Sequence, residues 1–259
     1  MTKLLIATPI DGLPASAKVA YGHALALARL LNSDVECQLL DPGIMGYPSD
    51  LVRVRSRAVT AARQFQASHI LWLDDDNIPK RGAVSAMLET GHDFVGCPYP
   101  RKRIHWERFT DPSNWAGGEP ERLAYDYAYH HSDGPTGVAS LAVVNGCIPV
   151  ERMSMGCMLT SMRALETMWA HYRDELWFTD VVDGAHWECV ALFQLLLGKT
   201  VSRHGTPFRP LYSEDYSLCQ RYADMGAPFG PIQMLVSHPA DHVGTHLFRG
   251  LAEGLVYAR

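Results

Sequence analysis

Ile70-Leu71-Trp72-Leu73 runs directly into Asp74-Asp75-Asp76, and Asn77-Ile78-Pro79 follows. Four apolar residues bounded by polar ones read as a short buried strand. Three carboxylates at its end are difficult to explain as packing, because Asp is depleted from strands and like charges this close repel. In extended geometry Asp74 and Asp76 point to one side and Asp75 to the other. Two same-side carboxylates at a strand end suit a hard divalent cation such as Mn²⁺ or Mg²⁺. Such an ion can grip a diphosphate and neutralise charge developing on a departing nucleotide. The competing reading is an acidic turn, with Asn77-Ile78-Pro79 forming the bend.

Upstream of this stretch, Lys3 to Ala7 reads as a buried first strand that ends in a Pro/Gly loop from Pro9 to Pro14. Ser16 to Leu31 has helical apolar spacing closed by Asn32, and Val35 to Leu40 reads as a second strand before the turn Asp41-Pro42-Gly43. Leu51 to Gln66 reads as a helix carrying Arg53, Arg55, Arg57 and Arg63. Strands alternating with helices favour an α/β fold with a mostly parallel sheet and helices on both faces. Ligands of such sheets bind outside the carboxyl ends of the strands, so the turns at Thr8 and Asp74 are expected on one rim.

Downstream the pattern loosens. Residues 98–137 are rich in Pro, Gly, Trp, Tyr and His, a length of irregular chain that is usually functional or mobile. Leu141 to Val144 and Arg152 to Thr160, the latter containing Gly156, read as strands; Ser161 to Tyr172 and Glu214 to Met225 read as helices.

With 47% hydrophobic and 20% charged residues in 259, general disorder is excluded and one large α/β domain or two small ones fit the length. A net charge of −5 gives no electrostatic footprint for broad nucleic-acid binding; the run Arg101-Lys102-Arg103 reads first as a solvated loop. Six scattered cysteines without a CxxC pair point to free buried thiols in a reducing compartment. The apolar run at the N-terminus stops at Pro9, too soon for a signal sequence. No apolar stretch has the length of a membrane span, and the expectation is a cytoplasmic protein.

Arg55-Ser56-Arg57 on a helix followed by Ile70 to Pro79 resembles the donor-binding half of GT-A fold glycosyltransferases, in particular the small family 2-like enzymes of bacteria and phages. Ser154-Met155-Gly156-Cys157-Met158-Leu159 is similar to the family's glycine-containing segment beside the donor sugar. Tyr212-Ser213-Glu214-Asp215-Tyr216 resembles its Glu-Asp motif at a helix start, and Asp241-His242-Val243-Gly244-Thr245-His246 its C-terminal histidine region. Where the family often carries Asn after the helix arginine, this chain has Ser56.

The resemblance implies a single GT-A (Rossmann-like) domain over residues 1–259, with a nucleotide-sugar half over 1–97 and an acceptor-binding, catalytic half over 98–259. It implies transfer of a sugar from a nucleotide-diphosphate sugar, UDP-sugars being the family's commonest, to an acceptor hydroxyl with inversion. Asp76 becomes the direct metal ligand, with Asp74 on the ribose or a metal-bound water, Asp75 orienting its neighbours, and His242 ahead of His246 as a further ligand. Thr8, Pro9 and Asp11 approach the nucleotide, and Gly156 lies beside the donor.

On sequence alone the residues after Ser213 read first as a helix cap; the resemblance makes Asp215 the expected general base for the acceptor hydroxyl, with Glu214 supporting it or helping to hold the acceptor. Arg55 either pairs with a base or phosphate or lies on an exposed helix face. Trp106, Trp115, Tyr125, Tyr127 and Tyr129 either stack on a ligand or, the preferred reading, pack the long loop onto the core. A saccharide acceptor ranks above a modified DNA base in a phage-infected host. A nucleotidyltransferase and a non-catalytic nucleotide- or sugar-binding module are the rival readings, although residues 8–16 hold only Gly12 and no Lys or Arg for a basic signature loop.

Overall fold

The structure is a computed structural model that describes residues 2–9, 35–40, 50–111, 125–130, 142–203, 206–243 and 247–248. The expected helix Ser16–Leu31 and the turn at Asp41 lie outside these residues, as do Asp11, Trp115 and His246.

Along the chain, β1 (Thr2–Ala7) and β2 (Val35–Leu39) precede α1 (Leu51–Phe65), β3 (His69–Leu73), the short β4 (Asn77–Ile78), α2 (Ala83–Glu89) and β5 (Phe94–Gly96). Next come α3 (Trp106–Thr110), β6 (Tyr129–His130), β7 (Cys147–Val150), β8 (Arg152–Met153), β9 (Cys157–Ser161) and α4 (Met162–Leu176). Two ribbons follow, β10 (Trp177–Val182) with β11 (Ala185–Val190) and β12 (Val201–Arg203) with β13 (Thr206–Phe208). The last elements are α5 (Glu214–Asp224), β14 (Ile232–Leu235), β15 (Asp241–Val243) and β16 (Leu247–Phe248).

Seven strands form one mixed sheet in the order β2-β1-β3-β9-β5-β14-β7. β2, β1 and β3 are mutually parallel, β5 is parallel to β14, and β9 runs antiparallel between β3 and β5. β7 closes the row antiparallel to β14. Five strands therefore share one direction, and their carboxyl ends line a common rim. Because β9 opposes them, it is the start of β9 that reaches that rim.

Strand alternation divides the core between the two faces. Leu5, Ile70, Trp72, Phe94 and Met158 pack under α1, α4 and α5, meeting Val54, Ala58, Leu165, Met168, Leu218 and Tyr222. Leu4, Ile6, Leu71, Leu73, Val95 and Leu159 face the other way, against Ala83, Val84 and Met87 of α2. A sheet covered on both sides needs strands with an unbroken apolar run, as β3 has from Ile70 to Leu73. Trp72 ties β3 to its antiparallel neighbour by donating its indole N–H to Thr160 Oγ1 at 2.9 Å.

Three expectations change. Residues 142–144 of the strand expected over Leu141–Val144 are exposed and belong to no strand, Leu141 lies outside the described residues, and β7 begins only at Cys147, after the positive-φ turn Asn145-Gly146. What decides this is the partner, since β14 pairs with Cys147–Val150. The single strand expected over Arg152–Thr160 is broken into β8 and β9 around Gly156. The hairpin β10–β11 was not anticipated, although Asp183-Gly184, both at positive φ, is the two-residue turn that such hairpins use. All six cysteines are free, five of them buried. Among the described residues no helix is long and apolar enough to cross a membrane.

Candidate active site

Pairing of Ala7 with Trp72 puts Thr8 beside the end of β3, so Thr8 and Asp74 share the rim as expected. The acidic triplet does not continue the strand. Asn77 N–H donates to Asp74 O at 3.1 Å and closes a turn over 74–77, while Asp74 N–H donates to Gly156 O at 3.0 Å. The bend thus falls on the triplet itself rather than on Asn77-Ile78-Pro79, and Asp74 and Asp76 remain close enough to interact electrostatically.

Leaving the turn, β4 pairs with β15 so that His242 lies opposite Asn77. Val243 N–H donates to Asp76 O at 2.7 Å. His242 Nε2 stands 3.4 Å from Asp76 Oδ1, and its Nδ1 is 2.8 Å from Pro100 O. A carbonyl only accepts, so Nδ1 carries the proton of that bond. Nε2 then faces the Asp76 carboxylate, where a proton on the ring or a bound cation would join the two groups. Metal-binding histidines commonly donate their other N–H to a carbonyl in this way.

Lys102 Nζ pairs with the second oxygen of Asp76. Burial alone would raise the Asp76 carboxyl, but hydrogen bonds from His242 and Lys102 outweigh it and hold it below the ordinary aspartate value. Arg101, Lys102 and Arg103 are exposed, but the run is not merely solvated. It is fixed by Arg101 N–H donating to Asp126 O at 2.7 Å, and by Asp126 accepting from His105 and Arg108 at 2.7 and 3.0 Å.

Arg55 is buried on the inner face of α1, and the exposed-face reading of this residue falls. Its Nη2 lies 3.4 Å from Asp74 Oδ1 and its Nη1 3.4 Å from Glu214 Oε1, which joins the end of β3 to the start of α5. The Glu214 contact is an ion pair without hydrogen-bond alignment. Nη1 and Nε are accordingly left without acceptors, and Thr8 Oγ1 and Asn77 Oδ1 are likewise buried and unpartnered among the described residues. Such orphaned groups are costly unless something else satisfies them. Burial pushes the Asp74 carboxyl up to about 6; Arg55 opposes the shift, and Asp76, Asp215 and Glu214 add to it.

At the start of α5, Ser213 makes no side-chain cap bond. Its hydroxyl donates instead to Asp215 Oδ1, which also accepts from Tyr216 N–H at 2.8 Å. The capping reading of Ser213 is therefore replaced by one in which Ser213 orients a buried carboxylate. Behind these acids, Tyr99 Oη accepts from Gly156 N–H at 3.3 Å. Its phenol is raised well above the ordinary tyrosine value by burial and by Asp74, and Asp215 adds to the rise. A Cβ on Gly156 would lie 2.5 Å from Asn77 Nδ2 and 2.7 Å from Tyr99 Oη, so only glycine fits between them.

Thr8, Arg55, Asp74, Asp76, Gly156, Glu214, Asp215 and His242 thus belong to one connected rim. Pro9 is buried beside Thr8, and Asp75 is half-buried on the turn. Lys102, Tyr99 and Asn77 were missed as site residues; only the adjacency of Asn77 to the triplet was a usable signal. Tyr125 and Tyr127 are buried against Ile104 and Val236, as the loop-packing reading expects, whereas Trp106 is exposed. Among the described residues no three His, Cys, Asp or Glu side chains converge as a metal cage. Neither a protein-family model nor a curated protein sequence matches this chain.

Proposed function

We propose that this chain is a metal-dependent glycosyltransferase of the GT-A type, moving a sugar from a nucleotide-diphosphate sugar to an acceptor hydroxyl by inverting single displacement. One observation carries the reading: carboxylates from the end of β3 and from the start of α5, 140 residues apart in sequence, meet across the buried Arg55. The unpartnered Thr8 Oγ1 and Asn77 Oδ1 on the same rim are polar atoms that a nucleotide's hydroxyl and phosphate groups would satisfy.

The donor set at Asp76 suits a divalent ion of the manganese class, since it combines hard carboxylate oxygen with an imidazole nitrogen. Two protein ligands, with Asp74 beside them, agree with a site that substrate phosphates and water complete. When bound there by Asp76 and His242, such an ion would supply charge neutralisation at the departing diphosphate.

The chain's own residues do the rest. Lys102 adds a positive charge at the same carboxylate, and Arg55 holds Asp74 and Glu214 apart at a set spacing. Asp215 receives two hydrogen bonds at Oδ1, which leaves Oδ2 to take the acceptor proton. The acceptor oxygen forms its bond to the anomeric carbon, the bond from that carbon to the diphosphate oxygen breaks, and the diphosphate leaves with the electron pair.

A panel of nucleotide sugars, UDP-sugars first, is to be screened for Mn²⁺-dependent thermal shift. A donor at a hundredfold excess over its Kd stabilises by about 2.7 kcal/mol, or roughly 5–10 °C here. Asp215→Asn should keep that shift and lose transfer. If no nucleotide sugar moves the melting point, or if the Asn variant transfers at the wild-type rate, the proposal is wrong. A binding module without catalysis would show the shift and no transfer in either protein.

A further inference from the structure

Both carboxylate oxygens of Asp76 have protein partners. Oδ1 accepts from Asn77 Nδ2 at 3.2 Å and faces His242 Nε2 at 3.4 Å, while Lys102 Nζ holds Oδ2. A divalent ion on this carboxylate and the Lys102 ammonium would share one anion, and two cations so close repel each other strongly at a partly buried site. Asp76 is therefore well neutralised by Lys102 or by a divalent ion, but not by both together.

Lys102 is free to give way. The side chains of Lys102 and Asp76 are 39% and 34% exposed, and an ion pair open to water to that extent contributes at most about fivefold. Arg55, wedged between Asp74 and Glu214 with 3% of its side chain exposed, has no such freedom. The backbone that carries Lys102 is fixed on both sides. Pro100 O accepts from His242 Nδ1 at 2.8 Å, Arg101 N–H donates to Asp126 O at 2.7 Å, and Arg103 N–H donates to Arg101 O at 2.7 Å. Only the flexible four-carbon stem has to move, and its ammonium stays at the rim when it leaves Asp76.

From this we infer that Lys102 is a tethered counter-cation: it neutralises Asp76 until a divalent ion takes its place, and it then binds the diphosphate that accompanies the ion. This rests on the proposed role of Asp76 as a metal ligand. A diphosphate offers the displaced ammonium several charged oxygens in exchange for the one it gives up, and a lysine meets phosphate well as a point charge. Metal and diphosphate consequently strengthen each other's binding through Lys102, in addition to any oxygen they share. The exchange also spares the rim, which carries Asp74, Asp76, Glu214 and Asp215, from holding Asp76 without a cation.

The test is calorimetric titration of the full chain, first with Mn²⁺ alone and then with inorganic pyrophosphate at saturating Mn²⁺. Lys102→Gln should bind Mn²⁺ alone about two- to fivefold more tightly than the wild type, since no ion pair has to be broken. The same variant should bind pyrophosphate more weakly by a similar factor. Lys102→Arg, which keeps the charge, should bind Mn²⁺ no more tightly than the wild type, and melting curves check the fold of both variants. The opposite signs are diagnostic: a lysine that merely fastens the loop would weaken both ligands when lost, and a bystander would change neither. Either of those results, or a change in only one ligand, overturns the exchange while leaving the metal reading intact. If the wild type binds no Mn²⁺ even with pyrophosphate present, the metal role of Asp76 fails and the exchange fails with it.

Discussion

Arg55 shows how much one side chain carries in this molecule. A guanidinium with 3% of its side chain exposed stands between Asp74 and Glu214, each at 3.4 Å. Removing one partner of a buried ion pair costs roughly 3–5 kcal/mol, because the remaining charges stay desolvated. Arg55→Met should therefore lower stability by that order in chemical denaturation, and Arg55→Lys, a single point charge that cannot span both acids, by less. An unchanged midpoint for the Met variant would show that Arg55 does not brace the site.

Asp74 gives the second prediction at this scale. Its carboxyl is at about 6 in the folded chain against an ordinary value of 3.8. Between those values the folded state holds a proton that the unfolded state has lost, so stability from this group falls as pH rises through the window and is flat above it. The difference in melting temperature between wild type and Asp74→Asn should decline from about pH 4 to pH 6. A difference that does not vary with pH would contradict the shift.

Among the elements, β9 matters most. By running antiparallel between β3 and β5 it delivers Gly156 to the rim where the parallel strands end. The close approach of Asn77 and Tyr99 to Gly156 then leaves no room for a methyl group. Gly156→Ala should cost about 1–3 kcal/mol as an overpacking change and displace Tyr99 and Asn77 from the site. A variant with wild-type stability and activity would mean that both side chains can yield. The helix α5 is the other bearing element. Its first turn holds Glu214 and Asp215 while its buried face, Leu218 and Tyr222, anchors it to the sheet.

At the scale of the whole molecule, the site is assembled from distant segments. His242 reaches Asp76 because β15 pairs with β4, a contact spanning more than 160 residues. If His242 and Asp76 hold a divalent ion, His242→Ala should raise the Mn²⁺ concentration needed for donor-dependent stabilisation. The increase should be at least the roughly 10–100-fold that loss of an outer-sphere partner costs. A Mn²⁺ titration of melting temperature at fixed nucleotide sugar measures it, and an unmoved midpoint would remove His242 from the site.

What was legible in the sequence was local. β1, β2, β3, α1 and α5 could be read from apolar runs and periodicity, because their residues meet a core that demands those patterns. The acidic triplet stood out because three adjacent aspartates have no packing rationale. Lys102 could not be read in this way: a lysine in an arginine-rich loop looks solvated until Asp126 fixes that loop over Asp76. The burial of Arg55 was equally hidden, since helical spacing alone does not say which face a neighbouring strand will cover. Residue order thus determined the elements and the charged groups at their ends. Only the tertiary structure decided which charges meet, because ion pairing and desolvation depend on distances between segments that the linear chain leaves open.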